Sequence, residues 1–155
     1  MTLLSKPILL ATVPHTGTKF FMKIIEESLG VKHYHMRGQI LYKDKPQPLH
    51  RHDLVLAHLS PPNWQPIKDY ISLYKPVLIT TERDYKKVVL SHEKRGKNDG
   101  RVEINYRVSD QFRKKYDPLI LSVDSDDREE RLILLSELIG QPLHTDWLPV
   151  GTYGV

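Results

Sequence analysis

The 155-residue chain contains no cysteine. That absence excludes disulfide staples, cysteine-ligated zinc, iron–sulfur clusters and thiol nucleophiles. No apolar run approaches the roughly 20 residues that a helix needs to cross a bilayer, and only Met1 to Leu4 form an apolar start before Lys6, which is too little for a secretory leader. The expectation is a cytoplasmic protein with no membrane partner. Internal repeats and low-complexity tracts are also missing. With 39% hydrophobic and 27% charged residues, the composition is that of a globular chain rather than a disordered one, and its length suits a single domain over 1–155. Basic residues outnumber acidic ones, 23 to 19, for a formal charge of +4. The balance favours an anionic partner such as a nucleotide, a nucleic acid or an acidic substrate.

Four apolar runs have the unbroken character of strands buried on both faces, as in a parallel sheet: residues 7–13 (PILLATV), 54–59 (LVLAHL), 76–81 (PVLITT) and 119–123 (LILSV). Residues 31–36 read as a shorter strand. Between them the spacing turns helical. Phe20, Phe21, Ile24, Ile25 and Leu29 recur on one face before the stop signal of Gly30. Further helices are expected over about 66–74, 85–94 and 104–115. A last one is opened by Ser125 or Asp126, with Asp126 and Glu129 at capping-box spacing. It carries Leu132, Leu135, Leu138 and Ile139 on one face and ends at Gly140. Residues 37–53, rich in histidine, lysine and proline, read as a polar excursion. Strands alternating with helices predict an α/β fold, a three-layer sandwich around a mostly parallel central sheet of about five strands.

Ligands of parallel α/β proteins sit at the carboxyl ends of the strands, where helix N-termini attract anions. The turn after the first strand, Pro14-His15-Thr16-Gly17-Thr18-Lys19, suits that task. Gly17 lets backbone amides approach an anion, Thr16 and Thr18 add hydroxyl donors, and Lys19 adds a cation. The same residues could equally form an ordinary strand-to-helix turn with a threonine cap. A strict Walker A loop is excluded, because Gly17 has no glycine five positions upstream and Thr18 separates it from Lys19.

This segment resembles the 5′-phosphosulfate loop of the sulfotransferases, Pro-[Lys/Arg]-[Ser/Thr]-Gly-Thr-[Thr/Ser], with His15 in place of the family's basic residue and Lys19 in place of its last hydroxyl residue. A second segment resembles the family's 3′-phosphate motif. Arg83-Asp84 follows the strand at 76–81, Ser91 lies eight positions beyond Arg83, and Tyr85 stands where proline is usual. A third, His58-Leu59-Ser60-Pro61, is similar to the His-Leu-Pro segment whose histidine deprotonates the acceptor in many small-acceptor members. Read without the resemblance, Arg83 could be a salt-bridged surface arginine, Ser91 a solvated helix residue and His58 the cap of a strand.

The resemblance implies a P-loop-NTPase-like fold and transfer of a sulfuryl group from 3′-phosphoadenosine-5′-phosphosulfate (PAPS) to a hydroxyl or amine, without a metal. His15, Thr16, Gly17, Thr18 and Lys19 would hold the 5′-phosphate, and Arg83 and Ser91 the 3′-phosphate. Lys19 or His15 would neutralise the leaving group while His58 takes the acceptor proton. Glu82 is a weaker choice for that base. Its partners would be the nucleotide and an acceptor that the sequence does not name. Two other readings are carried beside it. One is a nucleotide or small-molecule kinase with Asp124 as its magnesium ligand; the other is a non-catalytic nucleotide or nucleic-acid binder. A nucleic-acid partner ranks last, because the basic residues are scattered rather than interleaved with aromatics. His33-x-His35 and His50-x-His52 are read as solvated histidines rather than metal ligands.

Overall fold

Apolar runs without alternation must be covered on both faces, and the computed structural model covers them so. It describes residues 4–13, 16–36, 50–83, 86, 88, 90, 101–122 and 127–143. The elements in order are β1 (Ile8–Thr12), α1 (Thr18–Leu29), β2 (Tyr34–Met36), β3 (Leu54–His58), α2 (Pro61–Tyr74), β4 (Val77–Glu82), α3 (Arg101–Tyr116), β5 (Leu119–Ser122) and α4 (Arg128–Ile139). Lys86, Val88 and Leu90, within the helix expected over 85–94, are helical as well.

The five strands form one parallel sheet in the order β2-β3-β1-β4-β5. The central strand, β1, is buried at every position. Because side chains alternate across a strand, Ile8, Leu10, Leu54, Leu56, Ile79 and Leu121 pack on α1 and α4. Leu9, Ala11, Val13, Val55 and Ala57 pack with Ile67 and Tyr70 of α2 and Val108 and Phe112 of α3 on the opposite face. The result is the expected three-layer α/β sandwich.

Three local expectations are corrected. First, α2 begins at Pro61, five residues ahead of the expected 66. Ser60 is extended at the N-cap and Pro61 and Pro62 occupy the first two helical positions, where a missing N–H costs nothing. Pro66 is buried one turn further in. Second, α4 takes Asp127 rather than Asp126 as N-cap. Glu129 then falls at the second helical position, so no capping box forms, and the Asp127 carboxylate instead accepts from Arg131 Nε at 3.1 Å. Third, Leu132 and Leu135 are buried and Ile139 packs beside them, but Leu138 is 57% exposed. At about 3.6 residues per turn it lies roughly a quarter-turn off that stripe. Gly30 and Gly140 close α1 and α4 in the left-handed conformation, as their positions predict. Among the described residues no helix is long and apolar enough to cross a membrane.

Candidate functional site

β1 and β3 are neighbours in the sheet, yet the helix that follows β1 packs on one face and the helix that follows β3 packs on the other. Connections that diverge in this way open a crevice outside the carboxyl ends of the two strands, the usual ligand position in an open parallel sheet. Thr12 ends β1 and His58 ends β3, and the two are register partners on strands about 4.8 Å apart. Strand alternation puts both on the α1 face. Across β1, Leu10 pairs with Ile79 of β4, so Thr81, two residues on, stands level with Thr12 on the same face.

A chain of hydroxyls ties these strand ends to the turn. Thr18 Oγ1 donates to Thr12 Oγ1 at 3.0 Å. Thr16 Oγ1 donates to the Val13 carbonyl and is also bonded to Thr81 Oγ1. A hydroxyl has one proton, so Thr81 is the donor of that second bond. Thr12, Thr16 and Thr81 are buried, which fixes the turn against β1 and β4. Gly17 is the N-cap of α1 at φ 89°, a left-handed conformation that glycine adopts without a Cβ penalty. The first-turn amides of α1 and the positive end of its dipole thus have no side-chain cap. Lys19 is exposed on the first turn of α1.

His58 borders the crevice from the β3 side. Its carbonyl accepts from Asn63 Nδ2 of α2 at 2.8 Å, and the next amide, of Leu59, donates to the Thr12 carbonyl at 2.7 Å. Its half-buried ring lies edge-on to that of His35, with centroids 4.9 Å apart and planes at 69°. Arg83 is half-buried directly after β4, and its carbonyl accepts from Tyr106 Oη of α3 at 3.4 Å. Glu82 points to the other face of the sheet, where it pairs with Arg113 of α3 at 3.4 Å, so it does not share the face that carries His58. The Thr16–Thr18 turn is therefore tied to Thr12, the register partner of His58, with Lys19 exposed on the helix turn that follows, and Arg83 directly follows β4 on the other side of β1. His15, Ser91 and Asp124 lie outside the described residues. Comparison with protein-family models, with curated proteins and with solved structures finds no match.

The histidine pairs are not simply solvated, contrary to expectation. His33 Nδ1 sits 3.2 Å from Glu26 Oε2, which also accepts from the His33 amide at 3.0 Å. The ring of His52 stacks on Tyr34, with centroids 4.1 Å apart and planes 6° from parallel. Burial pushes the His52 pKa down, the adjacent His50 lowers it further, and Asp53 opposes both. Of these four histidines, His50 alone is exposed, and His33, His35 and His52 are half-buried. Among the described residues no group of three or more histidines or carboxylates could hold a metal ion.

Three residues of the site were not singled out from sequence: Thr12, Thr81 and Asn63. A polar residue ending an otherwise apolar run, as in ILLAT and VLITTE, is a usable signal for the first two. Asn63 carries no comparable mark.

Proposed function

We propose that this chain is a PAPS-dependent sulfotransferase that moves a sulfuryl group to a hydroxyl or amine acceptor. The observation that carries this reading is the arrangement at the carboxyl ends of β1 and β3, where the Thr16–Thr18 turn is tied to Thr12 and His58 is the register partner of Thr12. A turn that presents helix amides, a hydroxyl and a lysine suits the 5′-phosphosulfate end of the nucleotide. A histidine one strand away suits an acceptor approaching from the opposite side.

In this scheme the amides of Thr16 to Lys19 hold the 5′-phosphate, and Arg83 pairs with the 3′-phosphate. His58 takes the acceptor proton as the acceptor oxygen or nitrogen bonds to sulfur. The bond from sulfur to the bridging oxygen breaks in line, and Lys19 neutralises the charge that develops on that oxygen as adenosine 3′,5′-bisphosphate leaves. An imidazole serves as base because its ordinary pKa lies near 6.5. The cysteine-free composition fits work in the cytoplasm.

Calorimetric titration with adenosine 3′,5′-bisphosphate beside ATP, GTP and AMP, with and without magnesium, tests the reading. Selective, magnesium-independent binding of the bisphosphate is expected. A preference for magnesium-ATP overturns it in favour of a kinase, and absence of any nucleotide binding removes the site.

A further inference from the structure

We propose that Thr81 is the positioning residue that sets the turn at residues 16–19 at a fixed distance from Arg83, an inference that rests on the sulfotransferase reading of those two places as the 5′- and 3′-phosphate sites. The backbone ladder stops short of them. β1 and β3 stay paired to the end of both strands, at Thr12 and His58. β1 and β4 are paired over residues 8–10 and 77–79, and residues 80–82 of β4 pair with β5 on its other side. Past Leu10 and Ile79 a bond between two side chains carries the tie across. Thr81 Oγ1 donates to Thr16 Oγ1, whose own proton goes to the Val13 carbonyl. Thr16 is thereby pinned to the end of β1 and to β4 at once. Both threonines are buried, so water competes little for the bond.

Arg83 directly follows β4, two residues past Thr81, so its Cα lies at most about 7 Å from that of Thr81. A nucleotide phosphorylated at both ends must meet the turn and Arg83 together. Its second contact is intramolecular once the first is made, and that gain is lost where the two sites do not match its length. A turn that shifts against β4 still receives one phosphate, because other bonds keep its shape: Thr18 Oγ1 donates to Thr12 Oγ1 at 3.0 Å, and the Phe21 amide donates to the Gly17 carbonyl at 3.2 Å. What such a shift removes is the advantage of the second phosphate. Thr81 touches neither phosphate in this scheme. It acts on the preference for adenosine 3′,5′-bisphosphate over AMP, whereas Arg83 supplies the contact itself. The bond biases the turn by no more than its own value, which bounds the loss at roughly 10-fold.

The test uses the full chain and calorimetric titration with adenosine 3′,5′-bisphosphate and with AMP. Four proteins are compared: the wild type, Thr81→Val, Thr81→Ser and Thr80→Val, the last a buried neighbour on the other face of the sheet. In Thr81→Val the bisphosphate should bind about 3- to 10-fold more weakly while AMP changes by less than about 2-fold. Thr81→Ser, which keeps the hydroxyl, and Thr80→Val should keep the wild-type ratio of the two dissociation constants. An unchanged ratio in Thr81→Val overturns the proposal, and so does an equal loss for both ligands, which would make Thr81 a support of the turn alone. If Thr81→Val fails to fold, Thr16→Val removes the same bond from its other end, and the ratio decides in the same way. Ligand-free spectra of isotope-labelled protein separate the tie from the sulfotransferase reading. The amide signals of Gly17 and Thr18 should move in Thr81→Val and return in Thr81→Ser. Signals that move in a protein whose wild type binds no bisphosphate keep the tie and remove the sulfotransferase reading with the preference that rests on it; unmoved signals overturn the tie whichever ligand binds.

Discussion

Thr80 and Thr81 are adjacent on β4, both fully or almost fully buried, and they face opposite sides of the sheet. Replacing each with valine should move stability in opposite directions. The Thr81 hydroxyl donates to Thr16, whereas the Thr80 hydroxyl is buried with no hydrogen-bond partner among the described residues. Valine keeps the shape and the β-branch, so strand preference and packing are conserved. A buried hydroxyl left unsatisfied costs about 1–3 kcal/mol, and a made hydrogen bond contributes about 1 kcal/mol. Thr80→Val is therefore expected to stabilise the fold by about 1–2 kcal/mol, equivalent to about 2–8 °C in Tm for a domain of this size. Thr81→Val is expected to destabilise it by about 1 kcal/mol. Urea denaturation of the two variants, with unchanged slope, reads both effects. A Thr80→Val protein that loses 1 kcal/mol or more refutes the reasoning, because its hydroxyl must then be satisfied by water held between β4 and α3.

Arg83→Ala should weaken adenosine 3′,5′-bisphosphate binding by roughly 10- to 100-fold, the value of a charged hydrogen-bonded contact, and leave AMP binding nearly unchanged; equal losses would show that Arg83 does not read the 3′-phosphate. His58→Ala should cut turnover by about 10²- to 10⁴-fold, the usual contribution of a general base, with nucleotide affinity retained, and a fully active variant would remove it from the mechanism. The folded state holds the His52 pKa below its ordinary 6.5, so the unfolded chain binds more protons below that pH. The stability from neutral His52 is present above about pH 6.5 and is lost as the pH falls through the lowered folded value. Denaturation midpoints of wild type and His52→Gln at pH 7.5 and 5.5 should show a smaller acid loss in the variant.

The parallel sheet is legible in the sequence because its central strands are apolar on both faces, and an unbroken run such as ILLAT has few other uses in a chain of this length. Helix starts are less legible. Pro61 and Pro62 look like a loop until Ser60 is seen extended at the N-cap position with the two prolines in the first turn, and the register of α4 depends on which of several acidic residues the turn places at its N-cap. The candidate turn could be picked out locally, since glycine, threonine and lysine after a buried strand form a compact signal. Its anchorage could not, because Thr16 and Thr81 are 65 positions apart and meet only once β4 lies beside β1. His35 was read as solvated for a related reason. A polar Tyr-His pair in a short edge strand reads as solvated until the pairing of β2 with β3 shows which face each side chain takes.

The strand order also governs when the site comes into being during synthesis. β1 emerges first but lies in the middle of the sheet. It stays unpaired until β3 has been made, and its second edge stays open until β4 follows. A chain arrested before β4 can form α1 and the turn at Gly17, but it lacks Thr81, whose hydroxyl anchors that turn. Such long-range closure is slow compared with local helix formation. The nascent protein thus carries a turn that is held in place only after most of the sheet exists, and the candidate site is a property of the nearly finished domain rather than of its first strand and helix.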